Sequence, residues 1–176
     1  MSTTMPTAAD LLGRRKRILV TGGAGFIGGA VVRRLLSESD ATVFNLDKMG
    51  YASDLTSITR TLATLDAGAA QRHQLLTVDL SDAEAVREAV RTADPDLVMH
   101  LAAESHVDRS ISGPGVFIES NVTGTYNLLQ AVRSHFEQLA TERREQFRLH
   151  HISTCLLYTS DAADDTPCVD LGGRRI

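Results

Sequence analysis

The sequence has few of the residues and runs that define several large classes of protein. Only two of its 176 residues are cysteines, and neither belongs to a Cys-x-x-Cys pair, so a disulfide framework is excluded. No apolar run approaches the ~20 residues that a membrane-spanning helix needs. The segment from Met1 to Gly13 has no basic region followed by an apolar core, so we predict no secretory signal.

The sequence also has no excess of positive charge. Its 18 Lys and Arg residues are outnumbered by 22 Asp and Glu residues, for a formal net charge of −4. This balance argues against a nucleic-acid partner, because binding a polyphosphate by counterion release needs a dense basic surface. We interpret the basic run at 14–17 as a solvated entry to a strand. The expectation is a cytoplasmic globular protein that binds neither membranes nor nucleic acid.

Short apolar runs alternate with helical periods along most of the chain. The runs predict strands at 18–20, 42–46, 75–78, 97–101 and 148–153. Apolar residues between the runs recur at helical spacing, first at Phe26, Ile27, Ala30, Val31, Leu35 and Leu36. This alternation predicts an α/β fold, a Rossmann-type doubly wound parallel sheet with right-handed crossovers.

The boundaries of this domain are less regular than its centre. Residues 1–15 are polar and small, and we expect a loose N-terminal arm there. Residues 51–73 contain a weak helical stretch and an Ala/Gly-rich loop that periodicity does not place. Ser81 and Glu84 match a capping box, which predicts that Ser81 caps the following helix. Apolar residues from Phe117 to Val132 predict one long helix.

A glycine cluster follows the first predicted strand and opens the first helix of the repeat. Gly22, Gly25 and Gly28 form a GxxGxxG pattern. In this position the first glycine permits a tight turn, the second lets backbone amides approach a pyrophosphate, and the third permits close helix packing. The N-terminus of the helix adds unpaired N–H groups and a partial positive charge. The pattern therefore predicts a dinucleotide site.

An acidic residue at the end of the second strand supports this prediction. Asp47 stands 22 positions after Gly25, where a carboxylate accepts hydrogen bonds from the adenosine ribose and repels a 2′-phosphate. We therefore predict NAD rather than NADP as the cofactor, although the neighbouring Lys48 weakens the exclusion of NADP. A plain strand-end Asp that enters a turn is the structural alternative.

Other candidate residues follow the third and fourth strands. Asp79 and Leu80 end the third strand, and small residues at 101–105 end the fourth, at the sheet edge where ligands bind in open α/β folds. His100 and His106 are candidates for a base or a metal ligand. Because they lack a spaced set of partner ligands, we predict no metal site. The histidines at 150–151 fit alternating strand positions.

Several segments between Lys16 and Thr154 resemble the dTDP-glucose 4,6-dehydratase family, within the extended short-chain dehydrogenase/reductase superfamily. The segments are Thr21–Gly28, Asp47-Lys48 with Tyr51-Ala52, His100–Ile111 (HLAAESHVDRSI), Phe117–Thr125 and His150–Thr154. The AAESHVDRSI stretch is specific within that superfamily.

The resemblance implies a hydro-lyase that keeps its NAD and acts on a nucleotide sugar. Such enzymes oxidise the glucose C4 hydroxyl, eliminate water across C5–C6 and return the hydride to C6, which gives a 4-keto-6-deoxy sugar. The implied cofactor residues are Phe26, Ile27, Asp47, Lys48, Asp79, Leu80, Leu101, Ala102, Ala103, Glu104, Ser105 and Ser120. Ser105 and Thr154 would contact the substrate, with Thr154 as the remaining catalytic residue. Family members also pair as homodimers through packed helices.

The sequence departs from the family after Thr154. The family has Asp-Glu-Val-Tyr-Gly there, which includes the acid and base of dehydration, whereas this chain has Cys155-Leu156-Leu157-Tyr158-Thr159 and no Tyr-x-x-x-Lys pair. Residues 155–165 and 169–176 match the translation of a common transposase-based sequencing adapter. We therefore expect 16–154 to be an incomplete NAD-binding domain that stops before the substrate domain. We also expect 155–176 to be a non-native tail and the chain as given to be inactive.

Two alternatives to a dTDP-glucose 4,6-dehydratase stay open at this point. One is another nucleotide-sugar dehydratase, epimerase or decarboxylase that shares the same cofactor half. The other is an NAD-binding fragment without catalysis.

Overall fold

Five parallel strands form the centre of the structure, a computed structural model that describes residues 7–153. The strands lie in the order β3-β2-β1-β4-β5. Their bounds are β1 Arg17–Thr21, β2 Thr42–Asp47, β3 His73–Thr77, β4 Leu97–His100 and β5 Arg148–His151. Every predicted strand is present, although β3, β4 and β5 each end earlier than predicted and β3 also begins earlier. The predicted parallel α/β sheet is confirmed.

Helices connect the strands and cover both faces of the sheet. They are α1 Ala8–Leu12, α2 Phe26–Glu38, α3 Thr56–Thr64, α4 Ala67–Gln71, α5 Ala83–Ala93, α6 Val107–Ser112, α7 Pro114–Phe117, α8 Gly124–Gln138 and α9 Thr141–Gln146, with a π-helical turn at Ile118–Thr123. Among the described residues, no helix combines the length and apolar character needed to cross a membrane.

The buried residues form one core on each face of the sheet. Successive side chains of β1 point to opposite faces, so Ile18 and Val20 pack with α1, α2 and α3. Leu19 packs with Phe44 of β2 and with α5 and α8 on the other face. The doubly wound arrangement is therefore confirmed, and the carboxyl ends of all five strands meet at one edge of the sheet.

The expected loose arm is wrong for residues 8–12, which form α1. Thr7 and Asp10 make a capping box at its start, and Ala8 and Leu12 are buried against α2. The Ala8 N–H also donates to Glu38 Oε2 at 2.9 Å. A helix of five residues is too short to show an apolar period, so the sequence pattern did not indicate it.

Two further expectations are corrected between β2 and β4. The unplaced segment 51–73 contains α3 and α4, and α3 buries only Ile58, which explains its weak period. The residue that caps α5 is Asp82 instead of Ser81, because the Asp82 carboxylate accepts from the N–H groups of Glu84 and Ala85 at 3.0 Å. A shift of one residue at a helix start is within the uncertainty of a capping pattern.

The long helix predicted from Phe117 is present but is not uniform. It begins one short helix earlier, at Pro114, and a π-helical turn separates α7 from α8. Such turns occur frequently at functional sites because they redirect the side chains of a helix. Here the turn carries Ser120, which accepts a hydrogen bond from Lys48, and Asn121, which accepts one from the Glu104 N–H.

Candidate functional site

A cavity of about 410 Å³ lies at the carboxyl edge of the sheet. It is lined by every residue that the sequence predicts for the cofactor: Gly22, Gly25, Phe26, Ile27, Gly28, Asp47, Lys48, Asp79, Leu80, Leu101, Ala102, Ala103, Glu104, Ser105 and Ser120. The structure therefore brings together residues from the ends of four strands. Their contact with a cofactor stays a prediction.

The glycine turn after β1 is shaped by steric limits at two positions. Gly22 has a φ of +70°, and a Cβ placed there would lie 2.7 Å from the Cα of Ala102. A Cβ on Gly28 would overlap the Gly22 carbonyl group and lie 2.8 Å from the Cα of Gly23. Only hydrogen atoms fit at these two positions, so the turn passes close to both α2 and the end of β4.

The N-terminus of α2 opens into the cavity. Gly25 is its N-cap residue and makes no side-chain capping bond, so no side chain covers the N–H groups of the first turn. Phe26 is 97% exposed and Ile27 is 63% exposed. Sequence periodicity placed both in an apolar face, but they line the cavity instead of the core. A helix start of this kind suits a pyrophosphate, which accepts hydrogen bonds from backbone amides.

Asp47 is buried at the end of β2 and holds two turns at once. Its Oδ2 accepts from the Ala24 N–H at 3.0 Å, and its Oδ1 accepts from the Met49 N–H at 2.9 Å and from Ser53 Oγ at 2.7 Å. Met49 has a φ of 56°, a left-handed conformation that the Asp47 contact stabilises. Because a carboxylate has about four acceptor positions, Asp47 retains capacity for a ribose hydroxyl. The sequence left a ribose role and a turn role open for Asp47; the structure shows the turn contacts, and the ribose contact stays a prediction.

Lys48 reaches across the cavity to the residues that follow β4. Its Nζ lies 2.7 Å from Glu104 Oε1 and donates to Ser120 Oγ at 3.2 Å. The ammonium group is therefore paired, which makes it less available to a 2′-phosphate beside Asp47. This arrangement favours NAD over NADP more clearly than the sequence alone does.

The segment after β4 is fixed by contacts with β1 and the π-helical turn. The Ala102 N–H donates to Thr21 Oγ1 at 3.2 Å. The Asn121 side chain accepts from the Glu104 N–H at 2.8 Å and donates to the Glu104 carbonyl at 2.9 Å. This pair of bonds holds the backbone of Glu104 in one place, and the small side chains of Ala102 and Ala103 leave room beside it.

Helix α8 fixes the opposite end of the cavity, after β3. Asn127 donates to the carbonyl groups of Leu80 and Ser81 at 2.9 and 3.0 Å. A Cβ on Gly124 would lie 2.8 Å from the Cβ of Leu80, so helix and loop are in close contact. The same helix thus positions the loops after β3 and, through the adjoining π-helical turn, after β4.

His100 lies buried beneath this edge and does not line the cavity. Its Nδ1 is 2.6 Å from Thr21 Oγ1, its Nε2 is 3.0 Å from Thr125 Oγ1, and its ring centroid is 5.0 Å from that of His151. Burial, with a smaller contribution from the charge of His151, lowers the pKa of His100 to about 4. His100 is therefore a neutral hydrogen-bonding residue at ordinary pH. The described residues contain no cluster suited to a metal ion.

The cavity also has lining residues to which the sequence assigned no role, among them Gly50, Tyr51, Ser53 and Val78. Tyr51 is part of the resemblance, but its contact could not be inferred: the Arg109 guanidinium lies 3.9 Å from the centre of its ring. Thr154, the predicted catalytic residue, lies outside the described residues, as do 155–176 with their two cysteines.

The residues present fit a dinucleotide. The glycine turn provides a cradle that a Cβ would fill, the α2 N-terminus faces it, and Asp47 lies at the end of β2. These are the features that bind the pyrophosphate and the ribose in this type of fold.

Comparison with known proteins shows that the chain is similar in sequence to one protein family and to curated enzymes. The family described as GDP-mannose 4,6 dehydratase matches residues 19–168. The dTDP-glucose 4,6-dehydratase of Shigella flexneri is 48% identical over 142 residues, which are 81% of this chain and 38% of the relative. The chain therefore spans well under half the length of the curated relatives it matches.

Solved structures show the same relationship. The dTDP-glucose 4,6-dehydratase DesIV from Streptomyces venezuelae, solved with NAD and TYD bound, has a TM-score of 0.57 and 42% identity over 68% of this chain and 36% of its own. The UDP-glucose 4-epimerase of Thermus thermophilus, solved with NAD, has a TM-score of 0.55 and 35% identity over 68% of this chain and 34% of its own.

Proposed function

Because the chain belongs to the GDP-mannose 4,6 dehydratase family, we propose that it forms the NAD-binding part of a dTDP-glucose 4,6-dehydratase. One observation carries the cofactor assignment: the glycine turn, the α2 N-terminus and Asp47 line a single cavity at the carboxyl edge of the sheet. The substrate assignment is supported by identity, which is 48% and 42% to two dTDP-glucose 4,6-dehydratases and 35% to an epimerase. A nucleotide sugar is thus the proposed substrate, and the cytoplasm the proposed location.

Each part of the cavity has a proposed task. The α2 N-terminus binds the pyrophosphate, Asp47 binds the adenosine ribose, and the loop at Leu80 lies beside the adenine. The small residues after β4 let the nicotinamide approach the backbone, with Ser105 facing the sugar. Bound NAD supplies a hydride acceptor for the sugar C4 position and later the hydride donor for C6.

The departures from the family after residue 154 bear on turnover. The resemblance places the acid, the base and the Tyr/Lys pair of the reaction beyond that point, where this chain has other residues. We therefore propose that the chain as given binds NAD tightly without completing the reaction.

The test combines binding and turnover in one purified sample. We expect titration to show NAD binding at least about tenfold tighter than NADP binding, a difference of ~1.4 kcal/mol. We also expect no 4-keto product from dTDP-glucose in the same sample. Equal binding of NADP would contradict the cofactor assignment, and a 4-keto product would contradict the proposed inactivity.

We also propose that the whole protein is a homodimer, as the resemblance implies. The π-helical turn and α8 carry a stripe of exposed apolar residues, Ile118, Val122, Tyr126 and Leu129, that suits contact between helices. Sedimentation velocity of the whole protein tests this proposal. A species of two chains supports the homodimer, and a species of one chain at all concentrations contradicts it.

A further inference from the structure

Two side-chain contacts join the loop after β2 to the segment after β4. In the first, Lys48 Nζ lies 2.7 Å from Glu104 Oε1. In the second, the Arg109 guanidinium lies 3.9 Å from the ring centre of Tyr51. We call these two contacts together the clasp. Arg109 lies within the AAESHVDRSI stretch of the family resemblance, which implies no role for it.

The clasp crosses the proposed cofactor cavity instead of lying beside it. Strand β1 separates β2 from β4 in the sheet, so the loops that follow β2 and β4 start two strand spacings apart, about 10 Å. The glycine turn of β1 lies between them and lines the same cavity as Lys48, Tyr51 and Glu104. Side chains that meet from the two loops therefore pass over the space in front of the glycine turn.

One end of the clasp is fixed and the other is adaptable. Asn121 holds the backbone of Glu104 through two hydrogen bonds, and the Glu104 side chain is only 10% exposed. Lys48 is 34% exposed and has a long side chain with several rotatable bonds. The contact can therefore open by rotation of Lys48 without moving the segment after β4.

The second contact acts on the same loop. Tyr51 is exposed, so its ring has a preferred position because the Arg109 guanidinium stacks on it. Arg109 belongs to α6, which follows the segment that Asn121 fixes. Both contacts thus join side chains of the loop at 48–53 to residues that follow β4.

We propose that the clasp is the gate of the cofactor site, which must open for a dinucleotide to enter or leave. This proposal rests on the proposed NAD-binding function. Since the clasp lies across the path to the glycine turn, it delays entry as well as release. The clasp is therefore a kinetic cause of cofactor retention, with Arg109 acting as a positioning residue through Tyr51.

A gate and a ligand contact have different kinetic signatures. Removing a gate that is closed in the free protein raises the association and dissociation rate constants together and leaves Kd nearly unchanged. Removing a direct ligand contact raises the dissociation rate constant alone and weakens binding. The two rate constants therefore separate these roles for Lys48 and Arg109.

The experiment is stopped-flow binding of NADH to the purified chain and its variants. The chain has no tryptophan, so binding is followed through the fluorescence of NADH itself. We expect Arg109→Gln to raise both rate constants about fivefold, with Kd changed by less than about twofold. Lys48→Met should raise the association rate constant by about the same factor. Because Lys48 is also a predicted cofactor residue, its replacement should raise the dissociation rate constant further. The association rate constant of the double variant should exceed that of either single variant.

Matched controls break the same kinds of contact elsewhere. Lys16→Met removes an ion pair to Asp40 with an Nζ–Oδ1 distance of 2.6 Å, and Arg144→Gln removes a guanidinium stacked on Phe136. Neither residue lines the cavity, and neither change should alter the rate constants. A rise in the dissociation rate constant alone, or no change in either rate constant, would contradict the proposal that the clasp is a gate. If the unsubstituted chain bound neither NADH nor NAD, the proposed function itself would fail, and the clasp with it.

Discussion

Replacing Gly28 with alanine should destabilise the fold by about 3 kcal/mol and weaken NAD binding about 100-fold. The new Cβ would overlap the carbonyl group of Gly22 and lie 2.8 Å from the Cα of Gly23. Both neighbours are backbone, so no change of rotamer relieves the overlap, and the glycine turn or α2 must move. Such a displacement would turn the amides of the α2 N-terminus away from the pyrophosphate.

Gly29 provides a matched control in the same helix. A Cβ at Gly29 would lie 3.6 Å from the Gly23 carbonyl oxygen, which is an ordinary van der Waals distance. We expect Gly29→Ala to leave NAD binding unchanged and to stabilise the helix by about 0.5–1 kcal/mol. Chemical denaturation and NAD titration measure the two effects. Equal behaviour of Gly28→Ala and Gly29→Ala would contradict the close approach of α2 to the turn.

The second large effect should be a loss of stability on acidification between pH 6.5 and about 4, caused by His100. The pKa of His100 falls from 6.5 to about 4 because the folded protein buries the ring and His151 lies beside it. In this range His100 binds a proton in the unfolded chain but not in the folded chain. The contribution of His100 to the free energy of unfolding is therefore present above pH 6.5 and is lost as the pH falls toward 4. The shift corresponds to about 3 kcal/mol of unfolding free energy.

Two other titrating groups, His73 and Asp96, also make stability depend on pH. Burial also lowers the pKa of His73, which adds to the slope in the same direction. Burial alone would raise the pKa of Asp96, but hydrogen bonds from Lys16, Arg143 and Arg17 outweigh it and leave that pKa below its usual value. The Asp96 contribution is therefore lost only at lower pH than that of His100.

Substitution of His100 should show whether this residue causes the loss of stability on acidification. We expect His100→Gln to reduce the slope of stability against pH between 6.5 and 4, whereas His106→Gln, which removes an exposed histidine, should retain it. If His100→Gln does not fold, NMR titration of the unsubstituted protein gives the same answer, since the His100 ring should stay mostly neutral down to a pH near its lowered pKa. A His100 ring that takes up its proton near pH 6.5 would contradict the buried hydrogen-bonded arrangement.

Much of the site could be predicted because its signals are local in the sequence. The glycine spacing after an apolar strand, and an acidic residue at the end of the next strand, placed Gly22, Gly28 and Asp47 correctly at one cavity. The strands could also be predicted, because a strand that is covered on both faces has a continuous apolar run in the sequence. Parallel order then follows from the helical segments between the strands.

The remaining features depend on contacts between distant parts of the chain. The approach of Lys48 to Glu104 joins residues 56 positions apart, and no local pattern predicts it. Helical spacing alone does not tell whether Phe26 and Ile27 face the core or a cavity, and only the family resemblance predicted their place at the cofactor site. Helix α1 packs against α2 through Ala8 and Leu12, and no pattern in the sequence indicates that contact.

The most direct test of the cofactor site is to add NAD to the isotopically labelled protein and follow each backbone amide by NMR. We predict that the largest shifts occur at Gly22–Gly28, at 47–53 and at 101–105, with small shifts at the opposite edge of the sheet near Asp96 and Arg143. Absence of shifts at saturating NAD, or shifts confined to that opposite edge, would contradict the account.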